Sequence, residues 1–287
     1  MKDFQYFEPV TLSDAVSLLQ SSNGKASLIA GGTDLLVQIK EHMRQPDHVI
    51  NIKKIPGMDD LHFDPESGLR IGALTTTRAV ETSPLVQKHY ASLARATTDF
   101  ASIQVRNRAT VVGNVCRASP SADTLPPLIA DGATLQVYGP KGRRIERMED
   151  FFTGPGKTVL GSDEIVTHIM IPPPLPHTGK VYIKHGRRIA MELATVGVAV
   201  SLTMEGDICS EVRIVLAAVA PTPIRAKRAE QMLRNKRIDQ EAIAAAAFAA
   251  KEEARPISDV RGSDAYRRQM VSVLTKRAIE QAMKEAQ

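Results

Sequence analysis

The residues in this chain best suited to chemistry are glycines and small polar groups rather than acids, bases or nucleophiles. At Gly31-Gly32-Thr33-Asp34, two successive glycines let backbone N–H groups turn into a concavity that phosphate oxygens can enter without meeting a Cβ. Before it, Ser27-Leu28-Ile29-Ala30 reads as a short apolar strand. After it, Leu35, Leu36 and Ile39 resume helical spacing, so the glycines occupy a strand-to-helix turn and the helix adds its positive end. The segment matches neither G-x-G-x-x-G nor G-x-x-x-x-G-K-[ST], which argues against a Rossmann nicotinamide site and a Walker-type nucleotide hydrolase. From the residues alone, the turn is either an anion cradle or a structural bend.

A second concentration runs from Thr110-Val111-Val112-Gly113-Asn114 to Ala118-Ser119-Pro120-Ser121-Ala122-Asp123. It offers hydroxyls, an amide, a glycine, a rigid proline and one carboxylate. That set suits a polar ligand such as a ribityl chain or a pyrophosphate, and equally an irregular loop bridging two helices. Lys184-His185-Gly186-Arg187-Arg188 is either a solvated strand end or a group of cations facing an anionic ligand. The seven histidines show no H-E-x-x-H or triad-like context, and no G-x-S-x-G is present. Cys116 and Cys209 lack metal-ligand spacing, so the chain has no means of holding its own iron-sulfur cluster, and both thiols read as small hydrophobes or inert surface groups. Two backbone cradles without a nucleophile or a metal cluster suit a protein that binds a large organic cofactor and leaves the chemistry to it.

The elements that must position these residues divide the chain in two. Thr11-Leu12-Ser13-Asp14 caps a short amphipathic helix, and the strands at Ser27–Ala30 and His48–Ile52 lie at βαβ distance, making a small α/β unit. A strand at Leu69–Ala73, helices at Thr77–Val86 and Leu93–Ile103, and strands at Thr134–Tyr138 and Glu164–Ile171 follow; Val105–Asn114 shows no helical periodicity. Pro172-Pro173-Pro174-Leu175-Pro176-His177-Thr178-Gly179 continues neither helix nor central strand and reads as a linker. Beyond it, Ala194–Met204 and Ile208–Ala220 form a hairpin about Glu205-Gly206-Asp207, and helices at Gln240–Ala254 and Asp264–Lys284 close the chain. The division expected is an N-terminal domain over 1–175, with subdomains of about 1–55 and 56–175, and a C-terminal sheet-and-helix domain over 176–287.

Composition narrows the function classes. The 287 residues are 43% hydrophobic and 24% charged, ordinary for a folded soluble protein and unlike a disordered chain or a membrane bundle. A scattered net charge of +5, aromatics at 4% and no Trp disfavour nucleic-acid binding. No stretch reaches the length of a membrane span and the N-terminus has no apolar run resembling a signal peptide, so a cytoplasmic location is expected.

Ala30-Gly31-Gly32-Thr33-Asp34-Leu35, followed by Thr110–Asn114 and by Ala118-Ser119-Pro120-Ser121-Ala122-Asp123-Thr124-Leu125-Pro126-Pro127-Leu128, resembles the FAD-binding medium subunit of the molybdenum hydroxylases. That family includes the flavin subunits of aerobic carbon monoxide dehydrogenase, bacterial xanthine dehydrogenase and aromatic-heterocycle oxidoreductases. The ordered pair of motifs is specific, and the resemblance extends over essentially the whole chain. It implies an α+β fold, a vanillyl-alcohol-oxidase-type FAD-binding domain of two α/β subdomains followed by a C-terminal domain with a small antiparallel sheet and helices. It implies that Ile29–Leu35 and Thr110–Asn114 carry the two pyrophosphate-contacting loops, that Ser119 and Asp123 bind sugar and ribityl hydroxyls, that Ile165 or Val166 lines the flavin or adenine pocket, and that Lys184 approaches the isoalloxazine.

The implied function is electron transfer through non-covalent FAD. Molybdenum cofactor and 2Fe-2S clusters would sit on a large and a small partner subunit, in a dimer of heterotrimers, and no catalytic residue or metal would belong to this chain. The competing expectations are a stand-alone flavoprotein oxidoreductase of the same fold and an assembly subunit that has lost FAD. Three positions depart from the family pattern. Val112 stands where the second loop has the first of two glycines, and its Cβ could obstruct the backbone's approach to a phosphate. Arg117 occupies a position more often Asn or Thr, and Leu193 replaces a Tyr that some relatives place against the flavin ring.

Overall fold

The structure, a computed structural model, describes residues 2–287. Its first unit begins with β1 (Gln5–Phe7) and α1 (Leu12–Ser21), whose N-cap Thr11 accepts the Asp14 N–H at 3.1 Å. Then come β2 (Ala26–Ile29), α2 (Leu35–Lys40) and β3 (His48–Asn51), which complete a parallel three-stranded sheet in the order β1-β3-β2. The crossover through α2 is what places the glycine turn at the carboxyl end of β2, where α/β sheets open a crevice for ligands.

The second unit opens with β4 (Leu61–Asp64) and β5 (Gly68–Gly72). A run of short helices follows: α3 (Thr77–Thr82), α4 (Pro84–His89), α5 (Ala91–Asp99), α6 (Ile103–Arg106), α7 (Val111–Arg117) and α8 (Leu125–Ala130). Strands β6 (Thr134–Gly139) and β7 (Gly142–Arg147), the hairpin β8 (Phe152–Gly154) and β9 (Lys157–Thr158), and β10 (Ile165–Ile171) complete it. The main sheet is antiparallel in the order β4-β5-β10-β6-β7, with β10 central and buried.

Two helices expected from periodicity are each broken. Pro84 starts a new helix after the Ser83 cap, and α5 stops at Asp99 because Ala101 turns to a positive φ of 46°. Arg106 fills the gap so opened: its guanidinium donates to the carbonyls of Thr98, Phe100 and Ala101 at 2.9–3.2 Å and pairs with Glu81 at 2.8 Å. The segment expected to be irregular, Val105–Asn114, instead contains the end of α6 and the start of α7. Its periodicity was hidden because both helices are too short to repeat a face.

After the proline-rich connection, β11 (Thr178–His185), β12 (Val196–Glu205), β13 (Ile208–Ala217) and β14 (Ile224–Arg225) form an antiparallel ladder. Helix α9 (Lys227–Leu233), the short β15 (Lys236–Arg237) on β13, and helices α10 (Gln240–Glu253) and α11 (Asp264–Glu285) follow. This sheet is covered on both faces. Val196, Val198, Val200 and Leu202 pack against the terminal helices, whereas Tyr182, Ala199 and Val215 join the core of the preceding unit. Burial on two faces explains why these strands read as continuous apolar runs. The architecture is α+β: an N-terminal part of two sheets with short helices, then an antiparallel sheet backed by helices.

Candidate functional site

The two glycine-containing segments, distant in sequence, meet in space. A Cβ added to Gly31 would overlap the Arg108 carbonyl oxygen and stand 2.9 Å from Ala109 Cα, so the first turn packs backbone to backbone against the residues leading into Thr110. Gly32 adopts φ +74°, a left-handed conformation that a branched side chain resists. Across this turn the N–H groups of Gly31, Gly32, Thr33 and Asp34 meet no acceptor among the described residues. A run of unsatisfied donors on a partly exposed turn is a fit for phosphate oxygens, and therefore for the pyrophosphate of FAD.

Thr110–Asn114 is the cap and first turn of α7 rather than a loop. Thr110 Oγ1 accepts the Gly113 N–H at 3.0 Å, and Asn114 Oδ1 accepts the Thr124 hydroxyl at 2.7 Å. The Val111 and Val112 side chains pack in the core, at 0% and 3% exposure, while Gly113 beside them is exposed. A side chain at Gly113 would instead lie 2.8 Å from the capping Thr110 hydroxyl. Arg117, at the end of α7, pairs with Asp34 at 2.6 Å and so ties the second segment to the first.

The chain then enters a left-handed turn at Ala118, φ +50°, and Ala118–Asp123 is held from two sides. Gly156 of the β8–β9 hairpin donates to the Ala118 carbonyl at 2.9 Å, and Ala218 at the end of β13 donates to the Pro120 carbonyl at 2.8 Å. Ser119 organises the turn locally, its carbonyl accepting the Ala122 N–H at 3.1 Å. Asp123 is buried at 5% exposure and receives the Tyr182 hydroxyl on one oxygen and Lys184 Nζ on the other, each at 2.8 Å. Burial pushes its carboxyl up to about 6, against the pull of Lys184 and the two hydrogen bonds.

Lys184 also donates to the Asp99 carbonyl at 2.9 Å. The ammonium singled out in the sequence is thus anchored on Asp123 and the end of α5, and it compensates a carboxylate before it compensates anything else. Ile165 and Val166 lie on β10 with both side chains in the core, at 1% and 4% exposure. Ile29 is likewise buried, whereas Ala30, Thr33 and Leu35 are partly exposed around the turn. Leu193 stands half-exposed on the segment between β11 and β12. Sequence reasoning missed Tyr182, whose hydroxyl completes the Asp123 shell. The available signal was the period of two on β11, which puts Lys180, Tyr182 and Lys184 on one face.

Comparisons with known proteins identify the family. Residues 2–174 match the family model described as FAD binding domain in molybdopterin dehydrogenase, and residues 181–282 match CO dehydrogenase flavoprotein C-terminal domain. The chain is 34% identical to the putative xanthine dehydrogenase FAD-binding subunit of Escherichia coli strain K12, over 100% of this chain and 98% of that one. It is 36% identical to the carbon monoxide dehydrogenase medium chain of Hydrogenophaga pseudoflava, over 97% and 96%. A solved carbon monoxide dehydrogenase from Hydrogenophaga pseudoflava superposes with a TM-score of 0.94 at 36% identity, covering 98% of this chain and 97% of that one. Quinoline 2-oxidoreductase from Pseudomonas putida 86 does so with 0.91 at 30% identity, covering 100% and 99%. Shared fold, shared motifs and end-to-end similarity together place the chain in the FAD-binding medium-subunit family of the carbon monoxide dehydrogenase and xanthine dehydrogenase type of molybdenum hydroxylase.

Proposed function

We propose that this chain holds FAD non-covalently and serves as the electron-transfer subunit of a heteromeric molybdenum hydroxylase. In that complex a small subunit carries 2Fe-2S clusters, a large one carries the molybdenum cofactor, and the whole is a dimer of heterotrimers. The observation that carries the reading is the row of unsatisfied N–H groups at Gly31–Asp34, packed against the chain leading into Thr110. Ala30–Asp34 and Thr110–Asn114 would hold the pyrophosphate, Ser119 and Asp123 the sugar and ribityl hydroxyls. Asp123 can accept a further hydroxyl because each of its oxygens has spent only one lone pair, on Tyr182 and on Lys184. Bound there, FAD supplies the redox chemistry, taking electrons singly and giving them up in pairs to an external acceptor.

Exposed apolar residues support an obligate partner. Ile189, Met191 and Leu193 stand on one loop, and Ile257 and Val260 on another, joined where Arg187 donates to the Val260 carbonyl at 3.1 Å. With Val112 turned into the core, the physical motive for an assembly subunit without flavin is gone. The test is the visible absorption spectrum of the purified chain, with its flavin released by heat and identified chromatographically. Stoichiometric FAD is expected, and Gly31→Ala should lose it, because the new methyl forces the two segments apart. A colourless chain that takes up no added FAD refutes the cofactor; a yellow chain that never co-purifies with larger and smaller subunits refutes the assembly.

A further inference from the structure

Between the second sheet and the C-terminal sheet lies a half-enclosed cavity of about 200 Å³, lined by Ile129, Gly132, Thr134, Glu149, Arg147 and Arg213 among others. None of these belongs to the cofactor residues described above. Arg213 reaches the cavity from β13, and its guanidinium takes the place a Cβ of Gly132 would need. The guanidinium is partly buried, yet it makes no hydrogen bond and no ion pair among the described residues.

Each carboxylate around it lies within reach of another cation, although the buried Asp131 keeps an oxygen without a hydrogen bond. Arg225 holds Glu149 at 2.9 Å and Glu230 at 2.7 Å, and Glu230 also accepts the Ile214 N–H at 3.0 Å. Glu149 is shared with Arg147, Asp131 lies 2.7 Å from Lys180, and Glu211 is 3.4 Å from Arg234. Burial, with Arg225 close by, lowers the Arg213 pKa against the pull of Glu211 and Glu230. Thr134 also lines the cavity, and its hydroxyl makes no hydrogen bond among the described residues. A planar fork of N–H donors beside a free hydroxyl, with a cavity between them, is the donor set for a small oxyanion.

We propose that this cavity binds an oxyanion of the phosphate class, held by the Arg213 guanidinium and the Thr134 hydroxyl, with the exposed Arg147 beside it. At roughly 30 Å³ per water, the space takes such an anion with several of its waters and excludes a dinucleotide. Because Thr134 belongs to β6 and Arg213 to β13, the bound anion bridges the N-terminal and C-terminal parts of the chain, and it stabilises the fold whenever it is present.

The test is thermal unfolding of the purified full-length chain in inorganic phosphate against chloride at matched ionic strength. Phosphate should raise Tm by about 2–4 °C in a saturable manner. Arg213→Met should abolish that increment, Arg213→Lys retain part of it and Thr134→Val reduce it, all with flavin content unchanged. An equal increment in the wild type and Arg213→Met, or none in the wild type, overturns the proposal. If Arg213→Met does not fold, an undiminished increment in Thr134→Val overturns it just as well. An increment found in the isolated chain but absent from the assembled complex also overturns it, since a carboxylate of a partner chain would then be the occupant.

Discussion

Burial holds the Asp123 carboxyl at about 6 although Lys184 and Tyr182 each stand 2.8 Å from it. Desolvation therefore outweighs the pair, and the Asp123–Lys184 contact orients a carboxylate rather than strengthening the fold at neutral pH. A carboxyl whose folded pKa lies above its ordinary value of 3.8 contributes stability that is complete below that value and is lost as pH rises through about 6. From pH 4 to 7 the wild type should thus lose about 2 kcal/mol relative to Asp123→Asn, read by urea unfolding at several pH values. A constant difference across that range would show that Asp123 titrates as an ordinary surface acid. The sequence exposed Asp123 by its company of serines and a proline, but not its burial, because the burying side chain, Tyr182, lies 59 positions on. Val112 is the converse case: a residue type that looked obstructive in a linear motif has its side chain in the core at the start of α7.

Short elements were the hardest to read. The glycine turn was legible because a strand and a helix flank it with opposite periodicities, and the βαβ order of β2, α2 and β3 followed from spacing alone. Helices α6 and α7 are 4 and 7 residues long, too brief for a helical repeat, and β7 is an edge strand whose only large apolar residue, Ile145, faces solvent. For α7 the usable signal was its cap. Thr110 three residues before Gly113 is the spacing of an N-cap, and its hydroxyl satisfies a donor that would otherwise lack a partner. Thr110→Ala should therefore cost about 1 kcal/mol of stability and loosen the second segment proposed to hold the cofactor. Weaker flavin retention on dialysis, with Tm lowered by only a few degrees, is the expected pattern. Full retention would mean that packing of Val111, Val112 and Val115 alone holds the turn.

At the scale of the whole molecule, the N-terminal and C-terminal parts are joined through β11, whose alternate side chains all point at the unit before the linker. Tyr182 and Lys184 reach Asp123, and Lys180 Nζ lies 2.7 Å from Asp131 at the end of α8 and 4.6 Å from the Tyr90 ring centre. The proline-rich segment reads as a linker between an N-terminal and a C-terminal domain. One apolar core runs across that segment from Val80 and Leu128 to Tyr182, Ala199 and Val215, beside a second core between the C-terminal sheet and its helices, so heat or denaturant should unfold the chain in one transition. Lys180 and Asp131 test that coupling, because both are buried and burial alone drives the Asp131 carboxyl upward. Lys180→Met leaves Asp131 without its cation and should cost about 3–5 kcal/mol, lowering the entire transition rather than splitting it. Lys180→Met combined with Asp131→Asn removes both charges and should recover most of that loss, since the penalty lies in the unpaired ion and not in the absent pair. Two separate transitions in the single variant would mean instead that the C-terminal sheet folds on its own and that the core is continuous only by contact.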